Sequence, residues 1–120
     1  MTSEMSVAAY LDGKSREGVA LFRNFAALAQ ACGDDVGVSV SRTGVYFTRK
    51  RAFAGAFVQR RQLEIEINLP RQVDHPCLRE SSVTADRVYS HRLTITSTGD
   101  LYTIVDLLHE AYETVGAGAA

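Results

Sequence analysis

Apolar side chains along this chain change their spacing twice. Val19, Phe22, Phe25, Ala26, Leu28 and Ala29 recur at helical intervals, a broad stripe that opens after Ser15 and runs up to Gly33. Ser15 offers its hydroxyl to the first free amides, and Gly33 is read as the stop. A shorter helix is predicted over about residues 7–11, closed by Gly13. From Val36 the interval becomes two: Val36, Val38 and Val40 alternate with Gly37, Ser39 and Ser41, which predicts a strand with one wet face. Arg42-Thr43-Gly44 reads as its turn, and Val45 and Phe47 point inward on the next strand. Residues 53–58 predict a third strand, whose register is ambiguous among Gly55 and small alanines. Leu63, Ile65, Ile67 and Leu69 then alternate with Glu64, Glu66 and Asn68 until Pro70. Residues 71–86 hold no sustained period and contain Pro76, so a long connection is predicted there. A fifth strand covers about residues 88–96. Helical spacing returns with Leu101, Ile104, Val105, Leu108, Ala111, Tyr112 and Val115 in one last helix.

The predicted fold is therefore α+β: a five-stranded antiparallel meander sheet, with two N-terminal helices and one C-terminal helix packed on one face. Short turns favour the meander, since adjacent antiparallel strands need only hairpins. Residues 1–115 are expected to form a single domain and residues 116–120, Gly-Ala-Gly-Ala-Ala, a flexible tail. The other sheet face, bearing Tyr46, Thr48, Glu64, Glu66, Asn68 and Arg92, would meet solvent or a second subunit, which makes a homodimer one expectation.

At 120 residues with 46% hydrophobic content the chain can bury one core, and its formal charge of −1 favours no particular partner. The distribution of charge changes the picture. Residues 42–92 hold ten Lys and Arg against five Asp and Glu, while the two ends hold three against nine. Such a split steers anions toward one face or holds the helices against the sheet. Cys32 and Cys77 read as free thiols in a reducing compartment, and no apolar run approaches the roughly 20 residues that cross a bilayer. The expectation is a cytoplasmic protein without a membrane partner.

No glycine-rich phosphate loop, zinc-type cysteine spacing or nucleophile elbow is present, so no enzyme, cofactor or metal is expected. Parity places Arg49 in the inward series of Val45 and Phe47, and His91 on the face of Tyr89, Leu93 and Ile95. With Arg61, and with Tyr112 from the last helix, they are the candidate lining of a site for a small anion. The plainer reading has Arg49 reaching out to solvent and His91 making one structural hydrogen bond. A bulge would undo the parity. Lys50, Arg51, Arg60 and Arg71 supply the alternative, a nucleic-acid-binding surface on the basic middle segment, although interleaved aromatics are missing. Asp74-His75-Pro76-Cys77 groups three potential ligands, short of a closed tetrahedral set.

Residues 44–54, 63–70 and 107–112, together with His91-Arg92-Leu93 and the early Tyr10-Leu11-Asp12-Gly13, resemble a bacterial domain of unknown function, the 5655 family, found alone or behind predicted transport-type proteins. The resemblance implies a compact α+β module with no established activity to transfer, and Arg49, Phe53 and His91 match recurring positions of that family. A more distant likeness to frataxin-type sheets with terminal helices implies iron handling. The leading expectation is a binding or accessory module for a small anionic ligand or a partner protein.

Overall fold

The computed structural model describes residues 5–84 and 87–118. Two N-terminal helices, one short and one long, start on serine hydroxyls. In α1 (Val7–Leu11) Ser6 accepts from the amide of Ala9 at 3.0 Å, and in α2 (Arg16–Gln30) Ser15 accepts from Gly18 at 3.1 Å. Gly13, at φ +80°, turns the chain between them. Helix α2 buries Leu21, Phe22, Phe25 and Ala29. It ends before Gly33, whose role is spatial: a Cβ there would lie 2.0 Å from the Tyr112 hydroxyl oxygen.

Six strands follow, where the sequence predicts five. They are β1 (Gly37–Val40), β2 (Val45–Thr48), β3 (Ala52–Val58), β4 (Leu63–Leu69), β5 (Leu78–Val83) and β6 (Tyr89–Ile95), all paired antiparallel in the order β1-β2-β3-β4-β6-β5. The sheet is thus a meander only as far as β4. The chain leaves β4, builds β5 at the far edge and returns to fill the gap with β6. The extra strand comes from the stretch predicted as a connection: its side chains are mostly exposed, so burial imposes no alternation, and pairing with β6 makes it a strand.

The expected last helix is two, α3 (Thr98–Tyr102) and α4 (Val105–Glu113). Ser97 caps the first, and the Thr103 hydroxyl donates to the Asp100 carbonyl at 2.6 Å where the helix breaks. The apolar period carries across the break, so Leu101, Ile104, Leu108, Ala111 and Val115 are all buried. Helices α2, α3 and α4 lie on the sheet face that presents Val45, Phe47, Ala54, Ala56, Ile65, Ile67 and Leu93, which form the core with them.

Of the stretch 116–120, Gly116 is buried and its carbonyl accepts the amides of Lys50 at 2.7 Å and Arg51 at 3.3 Å, while Gly118 bonds back to Val115. The Gly116 carbonyl is thereby held on the β2–β3 turn. Ala119 and Ala120 lie outside the described residues. Among the described residues no helix is long and apolar enough to cross a membrane.

Candidate functional site

Register is broken at the end of β2: Phe47 faces Ala54 but Thr48 faces Ala52, so Phe53 is the extra residue of a bulge. The bulge carries Phe53 to the helix side, where its ring meets Tyr112 edge-on at 5.5 Å. Beyond it Arg49 stands in a tight turn, outside the strand whose parity pointed it inward. Its guanidinium lies over the Tyr112 ring at 4.4 Å, and its Nε donates to Asp35 Oδ2 at 2.7 Å. The Tyr112 hydroxyl donates to the other Asp35 oxygen. Hydrogen bonds from Tyr112 and Arg49 hold the Asp35 carboxyl below the usual range, and the same contacts raise the Tyr112 phenol and the Arg49 guanidinium. Each polar group of this trio is occupied by another, leaving a clasp between the α2–β1 turn, the β2–β3 turn and α4.

His91 is in the inward position that parity assigns it, and is 1% exposed. Its Nδ1 donates to the Ile67 carbonyl at 3.1 Å, and its Nε2 accepts the Val73 amide at 3.1 Å. The Val73 donor fixes the tautomer. Arg49 and His91 therefore do not converge on a cavity. Tyr112 joins Arg49, Arg61 stands exposed in the β3–β4 turn, and four surface clefts of about 260 to 470 Å³ are lined by other residues.

The basic segment is likewise dispersed. Lys50 and Arg51 sit in the β2–β3 turn and Arg60 and Arg61 in the β3–β4 turn, at opposite ends of the seven-residue β3, a separation on the order of 20 Å. Arg71 forks onto Glu110 of α4 with bonds of 2.8 and 2.7 Å, which keeps that carboxyl deprotonated further into acid. In the loop before β5, His75 Nδ1 accepts the Cys77 amide at 2.9 Å and its Nε2 meets the Thr103 carbonyl. Both cysteines are free and partly buried, and burial pushes both thiols up. Among the described residues no three His, Cys, Asp or Glu gather as a metal site.

The opposite sheet face carries the densest arrangement of charge. Glu64, whose side chain is 7% exposed on a face that no helix among the described residues covers, accepts from Arg92 at 2.9 Å and is ion-paired to Arg79. Arg92 also reaches Glu66 at 3.4 Å and lies 4.3 Å over the Phe57 ring, which Tyr46 meets edge-on at 5.6 Å. Tyr46 in turn covers Gly55, its cross-strand partner. Asn68 bridges the Ala52 carbonyl and the Ser90 hydroxyl nearby. Alternation in the sequence places Tyr46, Glu64, Glu66, Asn68 and Arg92 together on this face. It misses Arg79, because β5 leaves no periodic trace, and Phe57, because the β3 register was open.

The chain matches the family described as a domain of unknown function (DUF5655) over residues 7–115. No curated protein and no solved structure matches it.

Proposed function

The chain belongs to the DUF5655 family, a domain of unknown function, and from that premise we propose that it is a non-enzymatic binding module for an oxyanion group. That group is the phosphate or carboxylate of a small anion, or an acidic side chain of a partner protein. The site is the helix-free sheet face, with Arg79 and Arg92 as the recognising cations and Phe57 and Tyr46 as the platform beneath.

One observation carries the reading: two guanidiniums converge on a single buried carboxylate. Glu64 takes one bond from each, which fixes the cations side by side before any ligand arrives. Arg79 stays 63% exposed, with most of its five donors still turned to water. A planar fork of this kind suits carboxylate and phosphate geometry.

Thermal denaturation with inorganic phosphate, small mono- and dicarboxylates and an acidic peptide tests it. Binding at about one hundred times the dissociation constant stabilises the fold by about 2.7 kcal/mol, and Arg79→Gln is expected to remove that gain. Because the variant also takes one partner from the buried Glu64 carboxylate and so lowers the ligand-free midpoint, each protein is read against its own midpoint without ligand. Phosphate also stabilises proteins nonspecifically through exclusion from their surface, so the difference between wild type and variant is the readout. Response to the peptide alone places the oxyanion on a partner protein, and response to free anions places it on a small ligand. Equal shifts in wild type and variant, or none in either, would overturn the proposal.

A further inference from the structure

The two free edges of the sheet are built differently. Strand β5 breaks register between Leu78 and Glu80 and sets Arg79 and Glu80 at the break, devices that discourage another strand from adding. Strand β1 reads Gly-Val-Ser-Val, with no bulge, proline or charge, and its first three residues are exposed. The amide of Ser41 donates to the Gly44 carbonyl at 2.9 Å, which sets the alternation of the ladder: Ser39 and Gly37 bond inward to β2, while Val38 and Val40 turn their amides and carbonyls to the open edge. No described residue meets those four groups. Val38 is 40% exposed, an unusual value for a strand valine whose side chain shares the core-facing parity of Val40. Beside it an apolar groove of about 260 Å³ runs between β1 and α2, lined by Val7, Phe22, Ala26, Val45 and Phe47 with Arg23 at its rim.

The edge is also complementary to itself in charge. Asp34 precedes β1 and Arg42 follows it; both are exposed and neither has an ion-pair partner among the described residues. We propose that two copies of this chain pair β1 to β1, antiparallel about a two-fold axis at Ser39, as a weak dimer with one continuous sheet. Val38 then faces the partner's Val40, and two main-chain hydrogen bonds at each such pair make the seam. The same antiparallel arrangement brings Arg42, in the turn after β1, to the same end of the seam as the partner's Asp34, in the turn before it, at both ends. Each copy's valines come alongside the other's groove, in the isologous form that two-fold dimers take. A four-residue seam is short, so the dimer forms only as concentration rises.

Sedimentation of the full chain across a concentration series tests this. The expected result is a reversible monomer–dimer equilibrium, abolished by Val38→Lys with the circular dichroism and thermal midpoint unchanged. Arg42→Asp should weaken association about threefold, as for an exposed ion pair, and adding Asp34→Arg to it should restore the wild-type constant. Monomer alone at the highest attainable concentration would overturn the proposal. So would a dimer indifferent to Val38→Lys, which places the interface elsewhere, or a monomer that instead takes an extended foreign peptide on this edge.

Discussion

His91 shows how a residue of reactive type is absorbed by the fold. Both ring nitrogens are committed, one to a carbonyl of the neighbouring strand and one to the amide of Val73 on the chain leaving β4. His91→Leu keeps the volume but strands the Val73 amide and a buried carbonyl contact, and should lower stability by about 1–3 kcal/mol in urea unfolding. Ring nitrogen chemical shifts should report the Nδ1-protonated tautomer. The cysteines follow the same logic. Burial raises both thiols, with Glu113 adding to the effect at Cys32 and Asp100 at Cys77, so alkylation at neutral pH should run several-fold slower than for a free thiol. Gly33 illustrates what sequence cannot show: it reads as a helix stop, yet the Tyr112 hydroxyl occupies the space of its missing side chain, and Tyr112 lies far along the chain.

Elements whose apolar and polar side chains alternate were legible, because alternation records which face of the sheet each one takes, even in β4, where both faces are buried. Strand β4 agrees with its predicted limits, and Ser15 caps α2 where the sequence places it. Strand β5 was not, since a mostly exposed edge imposes no pattern and its partner is chosen by tertiary pairing. Half of the proposed site was hidden with it, as Arg79 belongs to that strand. The bulge in β3 brings Phe53 inward, and β2 ends at Thr48, so Arg49 stands in the turn beyond it. What results is a clasp of Asp35, Arg49 and Tyr112 joining two turns to α4. A carboxyl held below its unfolded value stabilises the fold above that value, about pH 4, and the contribution is lost as pH falls through the lower folded value. Asp35, Glu110 and Asp100 all have this sign. Unfolding midpoints should therefore fall as pH drops below about 4, and Asp35→Asn should flatten part of that slope while lowering stability at neutral pH.

At the scale of the molecule, the basic middle and acidic ends find a partly internal use. Arg49 to Asp35 and Arg71 to Glu110 each tie a turn at the end of a sheet strand to a helix or the segment leaving one. The charge asymmetry that suggests an external polyanion is thus partly spent within the fold. What remains is a layered body with one sheet face under helices and, among the described residues, no helix on the other, which is organised around a buried carboxylate. The order β4-β6-β5 has a consequence for how such a body is made. During synthesis β4 emerges with its pairing edge open and stays so until residues 89–95 have left the ribosome, because the strand that fills the gap is the last one made. A nascent chain halted between β5 and β6 would show an apolar, alternating Leu63–Leu69 edge to its neighbours. A pause in synthesis at that stage should therefore raise aggregation of the nascent chain, whereas a pause after residue 95 has left the ribosome should not.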